Sequence, residues 1–223
     1  GCKRFELLEH HPRRDVMDPV GGTRFFYHAH PVASDLQHEH GHFHLFHEDA
    51  KGLSHMAALS LDAQGRPLRW FCTNQWVTGE RWRPARQWPK AVQGYSLQTR
   101  GRLAPVARWL QAMVSLYRDD LISLLHERDE RVKRLSGKID RVLVDAPCSG
   151  LGTLRRNPDL KWRQSPKAVQ ELTEKQTSIL ASAARLVKSG GRLVYATCSV
   201  LPEENEAIAQ AFSAAHPNFV PLS

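Results

Sequence analysis

Two short apolar runs near the end of this chain constrain its fold more than any other feature. They are Asp140-Arg141-Val142-Leu143-Val144-Asp145 and Arg192-Leu193-Val194-Tyr195-Ala196-Thr197. Each has the length and branching of a buried parallel strand. Between them Val169, Leu172, Ile179, Leu180, Ala183 and Val187 recur at helical spacing. Ser165 offers a capping hydroxyl and Pro166 suits the first turn, and Gly190-Gly191 predicts the end of the helix. Pro202-Glu203-Glu204 predicts the start of a last helix, with acids where the helix dipole favours them. Strand, helix, strand, helix is the signature of a parallel α/β unit. Sites in such units lie at the carboxyl ends of the strands.

Both runs lead into a cysteine. The first continues as Ala146-Pro147-Cys148-Ser149-Gly150, the second as Cys198-Ser199. Parallel neighbouring strands would put both thiols beside Asp145 on one sheet edge. Two thiols and a carboxylate there suit nucleophilic chemistry. Two buried structural cysteines would give the same placement, so placement alone leaves both readings open. The remaining cysteines, Cys2 and Cys72, complete no C-x-x-C pair. That usage fits a reducing, cytoplasmic compartment rather than a disulfide scaffold.

Composition narrows the class. With 41% apolar and 24% charged residues, the 223-residue chain is excluded from the mainly disordered class. No apolar run approaches the length of a membrane span. Gly1-Cys2-Lys3-Arg4-Phe5-Glu6 has no apolar run behind it, so no secretory signal is read there. The missing initial Met suits a processed chain or a fragment. The 31 basic residues against 23 acidic ones, net +8, permit an RNA partner without requiring one.

Histidine and tryptophan divide the chain. Ten of the 12 histidines lie within residues 1–55, and Trp162 alone among six tryptophans follows residue 125. This places a boundary near 125–130, giving an N-terminal domain over 1–125 and a second over 126–223. The first reads as α+β. Arg24–His28, His40–Phe46 and His55–Leu61 are aromatic-rich or alternating strand candidates, and Asp62–Pro67 is a turn leading to a partner over Leu68–Thr73. Val106–Leu125 has a broad helical stripe. His28 and His30 alternate, as do His38, His40, His42 and His44. Alternate residues share a strand face, so two such strands could offer several imidazoles and Glu39 to one zinc, iron or copper ion. A histidine-rich surface with incidental spacing is the plainer reading.

The longer motifs carry a family resemblance. Asp145-Ala146-Pro147-Cys148-Ser149-Gly150-Leu151-Gly152-Thr153, Arg155-Arg156-Asn157-Pro158-Asp159-Leu160-Lys161-Trp162 and Tyr195-Ala196-Thr197-Cys198-Ser199-Val200-Leu201-Pro202-Glu203-Glu204-Asn205 resemble the bacterial ribosomal-RNA cytosine-5 methyltransferases of the Sun/Nop type. The resemblance covers about 126–223 and implies a partial Rossmann-like sheet. It also implies an S-adenosylmethionine-dependent enzyme that methylates ribosomal RNA, in rRNA processing, through a cysteine–cytosine adduct. By resemblance Cys198 is the attacking thiolate and Cys148 assists product release. Asp145 lies where cofactor and base meet; it is assigned to the cofactor, and could also hydrogen-bond the cytosine. Arg155, Arg156, Lys161 and Arg163 around Trp162 are assigned to RNA, by phosphate contact and base stacking; a solvated loop is the alternative. Glu203, Glu204 and Asn205 are read as structural support for the Cys198 loop.

The chain also departs from that family. The glycine-rich loop that cradles the cofactor and the acid that holds its ribose have no counterpart before Asp140, although Asp129 could be a remnant of the adenine-side acid. The C-terminal end stops where the family continues into closing strands. Residues 1 to about 129 resemble a different, uncharacterised proteobacterial family, through Phe26–His30, Glu39–Phe46 and Thr73–Glu80. The two resemblances meet over Leu124–Asp129, as expected of a chimera joined at a shared stretch. The overall expectation is an α/β protein whose partial methyltransferase sheet is joined to a smaller α+β domain. The competing expectation is a histidine-rich metal-binding protein with an inactive methyltransferase remnant.

Overall fold

Alternation along the N-terminal runs produces a five-stranded antiparallel sheet in the order β1-β2-β3-β4-β5. The strands are β1 His11–Asp18, β2 Thr23–Ala29, β3 Gly41–Asp49, β4 Gly52–Leu61 and β5 Pro67–Phe71. The computed structural model describes residues 10–29, 38–73 and 81–222, without the side chain of Arg163. It divides into two compact units, Gly1–Arg131 and Val132–Ser223. His30, a candidate ligand, and Cys2 lie outside the described residues.

Turn chemistry sets the hairpins. Asp49 faces Gly52 across the β3–β4 turn, and its carboxylate accepts the Lys51 N–H at 2.8 Å. The Asp62 carboxylate accepts the N–H groups of Gln64 and Arg66, both at 2.9 Å. Strand β1 has no counterpart in the sequence reading. Its His-Pro-Arg-Arg-Asp start lacks the apolar alternation of an inner strand, and charged residues are what an edge strand carries.

The sheet has two unlike faces. Phe25, Tyr27, Leu45 and Leu59 join Trp88, Leu97, Leu110, Val114, Leu121 and Leu125 in the unit's apolar core. The helices there are α1 Pro89–Gln93, α2 Ala104–Leu116 and α3 Arg118–Leu135. The single helix expected over 106–125 is therefore two. Tyr117 leaves helical geometry at φ −102°, ψ 25°, and Asp119 and Asp120 open α3, where the N-terminal dipole end favours acids. The Asp129 carboxylate accepts the Ala85 N–H at 2.7 Å and the Arg128 guanidinium at 2.6 Å. On the opposite sheet face, Phe26 and His28 of β2 stand across from His44 and His42 of β3, and Phe46 stands across from His55 of β4. Burial, followed by the neighbouring imidazoles, pushes His44 far below its ordinary value. Burial and then the Arg128 charge push His55 down to about 3. His44 and His55 are therefore neutral imidazoles on this face.

The second unit is built on β6 Ile139–Asp145 and β7 Val187–Ala196, joined by α5 Pro166–Ala184 after a short α4 Leu160–Arg163 and followed by α6 Glu206–Ala215. The two strands pair in parallel, from Arg141 opposite Arg192 to Asp145 opposite Ala196. Helix α5 starts as predicted: Ser165 caps it by accepting the Ala168 N–H at 3.1 Å, and Pro166 occupies the first turn. It ends at Ala184, before the glycines expected to stop it. Gly190 and Gly191 instead lie within β7 at the irregular pairing opposite Asp140. Gly190 has φ +74°, and a Cβ on Gly191 would meet the Val187 side chain at 2.8 Å and the Asp140 carbonyl oxygen at 3.0 Å. The glycines thus absorb a bulge. Ile179, Leu180 and Ala183 of α5 are buried with Val144 of β6. Leu143 and Val194 remain 68% and 49% exposed, so β6 and β7 are only partly buried, unlike the fully buried strands read from the sequence. No described helix is long and apolar enough to cross a membrane.

Candidate active site

The parallel register carries both cysteine turns to one end of the β6–β7 pair. Ala146 N–H donates to the Ala196 carbonyl at 2.9 Å, extending the pairing just past the strands. Cys148 and Cys198 follow with their Sγ atoms 3.3 Å apart in a thiol–thiol hydrogen bond. Both are free cysteines; Cys148 is half-buried and Cys198 exposed. Asp145 is exposed at the β6 terminus. The hydrogen bond with Cys148, then burial, then the Cys148 and Asp145 charges raise the Cys198 thiol above its ordinary value. The Cys198 thiol is therefore protonated at neutral pH.

A buried carboxylate fastens the two turns. Glu204 is fully buried in a short turn of 3-10 helix over Pro202–Glu204. Its Oε1 accepts the Ser149 N–H at 2.8 Å and the Gln176 amide at 3.0 Å, and its Oε2 accepts the Ser149 hydroxyl at 2.5 Å. Burial alone would raise this carboxyl, but the Ser149, Ser199 and Gln176 donors hold it below its ordinary value. Gln176, from α5, also donates to the Pro147 carbonyl at 3.0 Å. Ser149 meets Ser199 at 3.1 Å, hydroxyl to hydroxyl. Asn205 accepts from the Thr197 hydroxyl at 2.6 Å and donates to the Ser199 and Leu201 carbonyls at 3.1 and 2.9 Å. Glu204, read as support for the Cys198 loop, thus binds the Cys148 loop as well. Gln176 escaped the sequence reading. Its signal was a polar residue on the apolar stripe of α5, four positions after Leu172 and before Leu180.

Glycine sets the closeness of the loops. Gly152 N–H donates to the Cys198 carbonyl at 2.9 Å, and a Cβ at Gly152 would lie 2.6 Å from that oxygen. From this anchor the chain runs into the basic segment. Arg155, Arg156 and Lys161 are exposed. Trp162 is 81% exposed, with the Lys161 ammonium 4.8 Å from its ring centre. The side chain of Arg163 lies outside the described residues.

Comparison with known proteins identifies both parts of the chain. Residues 107–222 match the family described as 16S rRNA methyltransferase RsmB/F. Residues 1–153 match a family described as a domain of unknown function, DUF6969. A probable ribosomal RNA small subunit methyltransferase B of Synechocystis sp. is 53% identical over 81 residues, covering 36% of this chain and 18% of the relative. Its Bacillus subtilis counterpart is 50% identical over 84 residues, covering 38% and 19%. A solved structure titled "Crystal Structure of PH0851" is 48% identical, with a TM-score of 0.38, over 40% of this chain and 20% of that one. The chain spans less than a fifth of the length of the curated relatives it matches. It belongs to the 16S rRNA methyltransferase RsmB/F family through its C-terminal half and to the DUF6969 family through its N-terminal part.

Proposed function

We propose that residues 126–223 are the nucleophile-bearing portion of an S-adenosylmethionine-dependent RNA cytosine-5 methyltransferase with a Rossmann-like sheet, acting on ribosomal RNA in the cytoplasm. Residues 1–125 form a separate α+β domain. The observation that carries this reading is the pair of thiols 3.3 Å apart at the ends of adjacent parallel strands. Family membership and the names of the relatives support it.

The chain's own chemistry follows from carbon 5 of cytosine being a poor nucleophile. The Cys198 thiolate adds to carbon 6, and the carbon 5–carbon 6 electron pair moves onto the ring, making carbon 5 enamine-like. Once that electron pair has bonded the methyl group, transfer of the carbon 5 proton to a base and departure of the sulfur as thiolate would restore the double bond. Cys148, within hydrogen-bond reach of Cys198, exchanges the thiol proton and assists that departure. Asp145, exposed beside both, faces the cofactor side of the site. Arg155, Arg156, Lys161 and Arg163 contact phosphates, and the open face of Trp162 stacks on a base.

S-adenosylmethionine supplies the methyl group in this chemistry. The residues present fit only one edge of it. Asp145 provides an acceptor, but no glycine-rich loop precedes β6, and Leu143 and Val194, opposite one another, leave one face of the strand pair open.

The adduct step can be tested without the cofactor. Adding a nucleophile to carbon 6 makes the carbon 5 hydrogen exchangeable, so the chain should exchange that hydrogen of ribosomal-RNA cytosines with solvent deuterium. Cys198→Ala should abolish the exchange, and exchange unchanged by that substitution would refute the role of Cys198. Calorimetric titration with S-adenosylmethionine tests the cofactor separately. Micromolar binding would mean that the chain completes the site; no binding by folded protein would mean that a further segment must supply it.

A further inference from the structure

We propose that the histidine face of the five-stranded sheet is a binding site for a divalent first-row transition metal, with His28, His42 and His44 as ligands. The proposal rests on the first unit alone and is independent of the methyltransferase reading.

Three imidazoles converge there. One ring nitrogen from each of His28, His42 and His44 lies within 4.8 Å of the others. The register explains why: His28 stands directly opposite His42, and His44 is two residues further along the same face of β3. Their ring centres are 4.6, 5.0 and 4.7 Å apart. His42 and His44 are buried and His28 is half-buried, so the group is sheltered while one ligand remains approachable.

The hydrogen-bond partners leave the tautomers a metal needs within reach. Glu39 Oε1 lies 2.7 Å from His42 Nδ1, and a carboxylate only accepts, so the His42 proton sits on Nδ1. His42 Nε2 then presents its lone pair inward, toward His44 Nε2 at 3.0 Å. On its other side His44 Nδ1 meets His55 Nε2 at 3.0 Å, and His55 Nδ1 meets the Thr73 hydroxyl at 3.2 Å. Without metal, every ring in this series can pass one hydrogen bond toward Glu39. With metal, the His44 and His55 protons move to their Nδ1 atoms. His44 then donates to His55, and His55 to Thr73. The Nε2 lone pairs of His42 and His44 now converge, and only a cation between them makes that arrangement favourable. Each of these two ligands thereby has an outer partner that fixes its tautomer, as metal-binding histidines commonly do. Arg69, 3.5 Å from the second Glu39 oxygen, holds that carboxylate in turn.

The dimensions suit an imidazole-bound metal. Two nitrogens bound tetrahedrally at about 2.0–2.1 Å lie about 3.3 Å apart, close to the His42–His44 separation. Metal binding would draw His28 inward. Three imidazoles leave a position open on a four-coordinate ion, and nitrogen donors select zinc, iron, copper or nickel over calcium or magnesium.

The alternating runs of the sequence contain all three ligands but do not single them out. His40 belongs elsewhere: its Nδ1 meets the Tyr27 hydroxyl at 2.7 Å, beside a cavity of about 460 Å³ lined by Phe25, Phe43 and Leu61. His38 is exposed. His55, which completes the series, lay outside the alternating runs.

The test uses the untagged full chain and zinc alone. Elemental analysis after dialysis against a weak chelator should find one zinc per chain. His28→Ala should weaken binding at least 100-fold, and Glu39→Gln about 10–100-fold. The double variant His38→Ala/His40→Ala should bind as the wild type does. X-ray absorption of the zinc-loaded wild type should count at least three imidazole nitrogens, a readout that needs no variant to fold. Absence of stoichiometric zinc, loss of binding in the His38/His40 variant, or fewer than three imidazoles would each overturn the proposal.

Discussion

Replacing Glu204 tests whether one buried carboxylate holds the two cysteine turns together. In Glu204→Ala the Ser149 N–H and the Gln176 amide lose their shared acceptor, and the Ser149 hydroxyl loses a second one. Hydrogen bonds to a charged group contribute about 1.5–3 kcal/mol each, and stranded buried donors cost about 1–3 kcal/mol. These terms overlap and are offset by relief of carboxylate burial, so we expect a net loss of about 3–4 kcal/mol, a large fraction of a typical domain's stability. Glu204→Gln should cost only about 1–2 kcal/mol. Its carbonyl can replace Oε1 for both nitrogen donors. Its amide can replace Oε2, because the Ser149 hydroxyl there can turn and donate to Ser199 instead. Hydrogen exchange at the β6 and β7 amides, residues 142–145 and 193–196, reads the loss in this unit separately from the other. The sign with pH follows from the depressed carboxyl. Its stabilisation is fully present above the unfolded value and is lost as pH falls through the lower folded one. Glu204→Gln should lack that acid-linked loss. An Ala variant within 1 kcal/mol of wild type, or a Gln variant as damaging as Ala, would refute the reasoning.

Asp18 makes the opposite case for an amide swap. Its carboxylate accepts backbone N–H groups on both oxygens, from Val20 and Gly21 at 3.0 Å and from Gln98 at 2.8 Å. A backbone N–H cannot turn round, so Asp18→Asn should cost about 1–3 kcal/mol by denaturant titration, and a cost near zero would contradict the assigned donors. Burial raises the Asp18 carboxyl, yet these donors leave it below its ordinary value. Its stabilisation should also vanish as pH drops below the ordinary carboxylate range through the folded value. In Gly152→Ala the new Cβ would strike the Cys198 carbonyl. Capture of the vicinal thiols by a trivalent arsenical should fall at least tenfold, whereas unchanged capture would show that the loops tolerate separation. Trp162→Ala should leave the melting temperature unchanged and weaken RNA binding by about 1–3 kcal/mol. Arg155→Ala/Arg156→Ala should reduce the salt dependence by a slope of about 2. Unaltered RNA affinity in both variants would remove this segment from the interface.

Elements announced by local chemistry were readable in advance. Ser165-Pro166 marks the start of α5, and Asp62 to Gly65 marks a turn, because the signal and its consequence lie within a few residues. The misreadings arose where a local signal had a distant cause. Gly190-Gly191 looks like a helix stop, but Gly190 is required by its positive φ and Gly191 by the close Val187, Lys188 and Asp140 atoms at the irregular strand pairing. The apolar stripe over 106–125 runs through a backbone break at Tyr117, since the stripe reports which face is buried and not whether the helix is continuous.

The same distinction separates the two candidate sites. Cys148 and Cys198 could be brought together from sequence because a parallel pair has one carboxyl end, and both cysteines follow a strand at similar distance. Glu204 is readable as support for the Cys198 loop alone, and Gln176 only as a polar residue on the stripe of α5; their joint role exists only after α5 has crossed back over the strands. For the histidines, period-two spacing gives a shared face but not the neighbouring strands or the point where the strand ends. His40 precedes Gly41, the first residue of β3, so the alternation that unites His42 and His44 no longer governs it. His55 enters instead because β4 pairs with β3 irregularly next to Phe46, which faces it. A bulge is a two-strand property, invisible to either strand alone. Spacing can therefore nominate a metal-binding face, but register decides its ligands, and the substitutions that discriminate are those at His28 and His44 rather than at the adjoining His38 and His40.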